Sequence, residues 1–81
     1  MAEASQVPAM PLSLVHTGET VLVSKVTGNM DLKRHLGNLG FVEGAEVGMV
    51  SSGSNMIVTV KGSRFGIDTK VARHIMTVPA A

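Results

Sequence analysis

Residues 28–47 read GNMDLKRHLGNLGFVEGAEV, and this stretch decides the fold. Leucines recur in it at spacings of four and three residues: Leu32, Leu36 and Leu39. That spacing places them on one face of an α-helix. Asn29 or Asp31 can cap the start of this helix, and Gly40 can end it in the left-handed conformation. We therefore predict a short helix over residues 31–39 that packs its leucine stripe against a core.

The segments around this helix have the composition of short β-strands. Their β-branched content and alternation predict five strands, over residues 19–26, 45–51, 56–61, 63–67 and 75–78. Asp68 can cap one helical turn before the last strand. We predict an all-β fold, a small closed barrel of about five strands with one helix after the first. Its core should contain Val21, Val23, Leu36, Val47, Val58, Val60, Phe65, Ile67 and Ile75.

The two ends of the chain lack such patterns. Residues 1–11 carry Pro8 and Pro11 and no periodicity, so we predict a flexible N-terminal tail there. One domain should occupy residues 12–78, followed by a short C-terminal end at residues 79–81.

Composition excludes several functional classes. The chain has 81 residues, a length typical of one domain, and no cysteine that could form a disulfide or a thiolate metal site. No apolar run approaches the roughly 18 residues of a membrane-spanning helix, and the N-terminus lacks a signal-peptide pattern. We therefore expect a cytoplasmic protein that does not insert directly into a membrane.

The polar residues form no catalytic arrangement. A nucleophile needs a base within reach and a group that orients the base, and the three histidines and six carboxylates show no such spacing. We predict that the protein is not an enzyme and holds no cofactor. Metal binding has only weak surface candidates, Asp31, His35 and His74, because structural sites need about four ligands. A solvent-facing role for His35 is the favoured alternative.

Nucleic acid is a partner that small barrels often bind, and two basic clusters, at residues 33–35 and 70–74, raise the question here. However, the net charge is only +1, which offers little release of counterions. Proteins that bind single strands also stack bases on aromatic side chains, and the chain has only two phenylalanines. We therefore predict no nucleic-acid partner.

Protein recognition remains. Apolar residues flank the helix: Met30, Leu39, Phe41 and Val42. Two alternatives stay open, since these residues could form a partner surface or plug the end of the barrel. If the leucine stripe faces inward, the outward residues make the candidate partner-contact set: Met30, Lys33, Arg34, Asn38 and Phe41.

The order and spacing of several short segments resemble the ferrous iron transport protein A (FeoA) family. The segments are Leu12-x-Leu14-x-x-x-Gly18, Val23-x-x-Val26-x-Gly28, the helix with Leu39-Gly40-Phe41-Val42-Glu43-Gly44, Gly62-Ser63-Arg64-Phe65-Gly66-Ile67 and Val71-Ala72-x-x-Ile75-x-Val78. The resemblance covers nearly all of residues 12–78. The chain departs from the family where Glu43 stands in place of a more usual proline, and at His35 and Gly37 in the helix.

This resemblance implies an SH3-like barrel and a role in ferrous iron uptake. It implies a cytoplasmic accessory and regulatory module that binds FeoB, a membrane GTPase transporter, and is recruited by it to the inner face of the membrane. An alternative is a free-standing metal-responsive regulatory module, akin to the C-terminal SH3-like domain of iron-dependent repressors. A weak homo-oligomer is also left open.

Overall fold

The computed structural model describes residues 9–80. In chain order its elements are β1 (Met10–Pro11), a 3₁₀ turn (Leu12–Leu14), β2 (Thr20–Val26), α1 (Met30–Leu39), β3 (Glu46–Ser51), β4 (Asn55–Val60), β5 (Ser63–Asp68), α2 (Thr69–Ala72) and β6 (Ile75–Pro79). The predicted all-β fold is confirmed, with a helix after the first long strand and a helical turn before the last.

The strands form one antiparallel sheet in the order β1-β6-β2-β3-β4-β5. Register shifts between Val23 and Lys25 in β2, and between Met49 and Ser51 in β3, interrupt the ladders. Such irregularities bend a strand and increase its twist. The sheet can therefore curl so that its inner face encloses a single core.

The core is aliphatic and matches the alternation of the strands. Every residue of the predicted core is buried except Phe65, which is half-buried and packs against the rest. Further side chains are buried beyond those of the predicted core: Leu12, Val15, Phe41, Ala45, Met49, Met56, Ala72 and Thr77. Leu12 and Ala72 are fully buried because the 3₁₀ turn contacts α2.

The N-terminal tail was predicted to reach Pro11, and this boundary is wrong by two residues. Met10 pairs with Thr77 of β6, and the Thr77 hydroxyl donates to the Met10 carbonyl at 2.9 Å. Pro11 is tolerated in β1 because an edge strand can lack one N–H. At the other end, Pro79 pairs with Val21 and so extends β6 into the predicted C-terminal end. The prediction for residues 1–8 and Ala81 lies outside the described residues.

Closure of the barrel by hydrogen bonds was also expected, and within residues 9–80 it does not occur. β1 pairs only with β6, and β5 pairs only with β4, so the sheet has two edges in this range. Here α2 follows β5 directly and packs on the 3₁₀ turn, so the region between the two edge strands is occupied by helical segments and not by a strand pair.

In this described part, no helix is long and apolar enough to cross a membrane.

Candidate partner-binding surface

Helix α1 is fixed at both ends by its own sequence. The side chain of Asn29 accepts a hydrogen bond from the Leu32 N–H at 2.8 Å, so Asn29 is the N-cap of the two candidates. Gly40 has a φ of 110°, the left-handed conformation that ends many helices. The N–H of Phe41 then donates to the Leu36 carbonyl at 3.0 Å, which turns the chain back under the helix.

The inner face of α1 belongs to the core, as predicted. Leu36 is fully buried, and Leu32 and Leu39 pack partly buried against the same cluster. Phe41 is 1% exposed, and its ring centroid lies 6.2 Å from that of Phe65. The expectation that Phe41 belongs to the partner-contact set is therefore wrong, because the turn after Gly40 directs it inward.

The outer face of α1 gathers the remaining residues of that set. Lys33, Arg34 and Asn38 are exposed, and the Met30 side chain is 69% exposed. Positions three and four apart on a helix lie side by side, so these residues form one continuous strip together with Gly37. We call this strip the α1 outer face: Met30, Lys33, Arg34, Gly37 and Asn38.

Gly37 lies on this face one turn after Lys33 and Arg34, and nothing within residues 9–80 requires a glycine there. A Cβ built on Gly37 would meet no atom within 4 Å. Glycine in a helix costs about 1 kcal/mol relative to alanine. The sequence analysis had not assigned Gly37 to the surface, although its position four residues after Lys33 was the available signal. The α1 outer face thus lacks a side chain at position 37, and this lowers the stability of the helix without improving any packing contact.

The cations of the α1 outer face have no intramolecular partner in the described part of the chain. Within residues 9–80 the one close contact between a basic and an acidic side chain joins His16 Nδ1 and Glu19 Oε1 at 3.8 Å, and it involves neither Lys33 nor Arg34. As far as residues 9–80 are concerned, Lys33 and Arg34 are left to interact with acidic groups of another molecule.

Apolar side chains flank the cations at both ends of the helix. Met30 precedes them, and Val42, 42% exposed, follows the C-cap. The two alternatives left open by the sequence therefore divide between the flanking residues. Phe41 and part of Leu39 plug the barrel, whereas Met30 and Val42 face solvent.

The candidate metal ligands are not brought together. Asp31 and His35 are exposed on α1, whereas His74 is half-buried, with its Nδ1 3.2 Å from the Thr27 hydroxyl. Among residues 9–80 no group of three or more His, Cys, Asp or Glu side chains is placed to hold a metal ion. These residues offer no assembled metal centre for the function to use.

The aromatic side chains are also unavailable for stacking on nucleic-acid bases. The chain has two phenylalanines and no tyrosine or tryptophan. Phe41 is buried and Phe65 is half-buried against the core. The exposed surface therefore lacks the aromatic platforms that single-strand binding uses.

Comparisons with known proteins agree with this architecture. The structure of Stenotrophomonas maltophilia FeoA complexed with zinc is 33% identical, has a TM-score of 0.76, and matches over 85% of this chain and 89% of that one. It is described as a unique procaryotic SH3 domain protein and a candidate bacterial ferrous iron transport activating factor. A structure described as iron uptake regulatory protein (FeoA) is 26% identical, with a TM-score of 0.82 over 88% of this chain and 97% of that one.

Repressors share the fold alone. T. acidophilum IdeR is 21% identical, with a TM-score of 0.82 over 93% of this chain but only 36% of that one. No curated protein matches the chain. A family model, FeoA domain, matches residues 10–79. The chain therefore belongs to the FeoA domain family of small SH3-like proteins, a family linked to ferrous iron transport.

Proposed function

We propose that this protein is a non-catalytic accessory and regulatory module of ferrous iron uptake that binds a FeoB-type membrane GTPase transporter through the α1 outer face. The observation that carries the proposal is the missing side chain at Gly37 on that face. Within residues 9–80 no contact requires glycine there, and it lies one helical turn after two exposed cations, Lys33 and Arg34, that have no acidic partner in this range. The module acts in the cytoplasm and is recruited to the inner face of the membrane by its partner.

The surface has the features of a modest protein interface. Met30 supplies an exposed apolar anchor at the start of the α1 outer face, one turn before Lys33 and Arg34, and Val42 supplies a second exposed apolar side chain after the helix. Lys33 and Arg34 would accelerate encounter with an acidic surface and set its orientation. Leu36 fixes the helix to the core, so the face is presented rigidly and loses little entropy on binding.

The first test reverses the charge of the face. We expect Lys33→Glu with Arg34→Glu to weaken coprecipitation with the transporter by about tenfold or more, because attraction becomes repulsion. The matched control, Lys25→Glu with Lys61→Glu, makes the same charge change at exposed positions outside α1 and should bind normally. Circular dichroism confirms that both variants are folded.

A folded Lys33/Arg34 variant that still binds the transporter and supports ferrous iron uptake at wild-type levels would contradict the proposed surface. The competing basic cluster, formed by Arg64, Lys70 and Arg73, would then be the place to look. All three of its residues are exposed.

A second test adds a side chain at the bare position, Gly37. Gly37→Gln introduces a good helix former where there is open space, so folding should be preserved or strengthened. Transporter binding should nevertheless fall, because the added side chain prevents close approach. Unchanged binding by this variant would show that the bare position at Gly37 has no role in the contact.

Ferrous iron separates this proposal from a metal-responsive regulator akin to the repressor domains, whose fold the chain shares. Pull-down with the transporter is performed with and without ferrous iron. Binding in both conditions supports an accessory module that acts independently of metal. Binding that requires iron would instead support metal-responsive regulation.

A further inference from the structure

The outer edge of β5 carries backbone groups that pair with no other strand within residues 9–80. β5 pairs residue by residue with β4, from Val60 opposite Ser63 to Asn55 opposite Asp68, without any register shift. Within residues 9–80 no strand lies on its other side. An unpaired strand edge presents a row of N–H and C=O groups that can pair with another chain.

The turn between β4 and β5 determines which residues face this edge. Lys61 and Gly62 form a two-residue connection with φ values of 51° and 79°, as in a type I′ turn. In such a hairpin the flanking pair, Val60 and Ser63, is a hydrogen-bonded pair. Hydrogen-bonded and non-hydrogen-bonded pairs then alternate along the ladder. The residues whose backbone groups point away from β4 are therefore Arg64, Gly66 and Asp68.

The two edges of the sheet differ in their protection. β1 is only two residues long and contains Pro11, and short strands and proline are common devices that prevent edge pairing. β5 has six residues and no proline. Among the residues of β5 itself, the charged ones that could discourage edge pairing are Arg64 and Asp68, whose charges have opposite signs.

We propose that two copies of this chain pair antiparallel along β5, about a two-fold axis that passes midway between their two Gly66 residues. In this register Gly66 lies opposite Gly66 of the second copy, and Arg64 lies opposite Asp68 in both directions. The Gly66 pair thus becomes a hydrogen-bonded pair of the new ladder. In each Arg64–Asp68 pair the Asp68 N–H donates to the Arg64 carbonyl, because Asp68 is the N-cap of α2 and its own carbonyl accepts the first bond of that helix. Each subunit uses the same strand, as a two-fold symmetric interface requires.

Charge and shape both favour this register. The side chains of Arg64 and Asp68 are exposed on the outer face of the sheet, and neither forms an ion pair within residues 9–80. Opposite charges directly across two strands stabilise their pairing. Asp68 uses Oδ1 to cap α2, accepting from the Lys70 N–H at 2.7 Å, so its second oxygen is left for Arg64 of the second copy. At the axis, the exposed Gly66 places no side chain between the copies.

On the inner face the same register supplies an apolar contact. Phe65 of one copy lies opposite Ile67 of the other, in a non-hydrogen-bonded pair where side chains approach most closely. Phe65 is only half-buried in the single chain, and pairing would remove more of its side chain from solvent. Because the shared area is one strand wide, the dimer should be weak and concentration-dependent.

A single introduced cysteine tests the axis directly, since the chain has none of its own. A Cβ at Gly66 would meet nothing closer than the Met56 carbonyl oxygen at 4.0 Å, so Gly66→Cys should fold normally. In the proposed dimer the two Cα atoms at this position are about 5.5 Å apart, within the roughly 4.4–6.8 Å that a disulfide spans. Mild oxidation should therefore give a covalent dimer.

Ile57→Cys is the matched control for this experiment. Ile57 is exposed and pairs directly with Gly66 in the neighbouring strand. Its distance to Ile57 of the second copy spans three strand spacings, about 14 Å, which is too far for a disulfide. Cross-linking at Gly66→Cys alone supports the proposal. Equal cross-linking of both variants, or none at Gly66→Cys, would overturn it.

Sedimentation velocity tests the pairing without any cross-link. We expect wild-type protein to form a dimer between micromolar and millimolar concentration, and Arg64→Glu to be monomeric because it places a carboxylate opposite Asp68. Lys33→Glu makes the same charge change on α1 and should dimerise normally. A wild-type chain that stays monomeric throughout this range would overturn self-pairing and leave the edge to a strand of another protein. Dimerisation of Arg64→Glu at wild-type strength would also overturn it.

Discussion

Replacement of Gly37 by alanine should stabilise the protein. Gly37 lies inside α1 and has nothing within 4 Å of its missing Cβ, so the added methyl group meets no neighbour. Removing a helical glycine contributes roughly 0.5–1 kcal/mol, mainly by reducing the conformational freedom of the unfolded chain. For a domain of this size, that corresponds to a rise in Tm of about 2–8 °C. Urea titration and thermal melting followed by circular dichroism measure both quantities.

The same substitution three residues later should have the opposite sign. Gly40 has a φ of 110°, and its Cβ would lie 3.4 Å from Lys61 Cδ. A side chain in the left-handed region costs roughly 1–2 kcal/mol, so Gly40→Ala should lower the urea midpoint. If Gly37→Ala leaves the midpoint unchanged or lowers it, Gly37 has a structural role, and the reasoning that assigns it to a binding surface fails.

Three further outcomes are expected. Val58→Ala should cost on the order of 1–3 kcal/mol by urea titration, whereas Ile57→Ala next to it should cost clearly less; equal losses would contradict the assigned faces of β4. Thr77→Val should cost about 1 kcal/mol, because it removes the hydrogen bond to the Met10 carbonyl, and an unchanged midpoint would show that this bond does not hold β1. EDTA should leave Tm unchanged, since residues 9–80 contain no assembled metal ligands; a fall of several degrees would refute this.

Local signals in the sequence were sufficient for α1. The leucine stripe, Asn29 as a cap and Gly40 as a terminator depend on residues within a few positions of one another, and the structure confirms each. Phe41 was harder to place, because its burial depends on a turn that directs it toward Phe65, far along the chain. An aromatic residue just after a helix has no local pattern that distinguishes a plug from an exposed anchor.

The two edge strands of the sheet could not be predicted from the sequence, because their positions also depend on residues far apart in the chain. Pro11 and the short Met10–Pro11 segment resemble a tail, and only the pairing with Thr77 makes them a strand. The open edge of β5 likewise depends on how the curved sheet ends against α2 and the 3₁₀ turn. By contrast, the exposure of Lys33, Arg34 and Asn38 followed directly from the inward direction of the leucine stripe.

The position of β6 between β1 and β2 has a consequence for the order of folding during synthesis. The last strand of the chain lies between its two earliest strands, so Thr77 pairs with both Met10 and Val23. Contacts this distant in sequence close late and slow folding. While the ribosome is still adding residues, β2 lacks one neighbour and the side of the core that the fully buried Ile75 covers is open. A nascent chain that stalls before Ile75 should therefore be recognised by chaperones or proteases, whereas the emergence of β6 allows the sheet to form in one cooperative step.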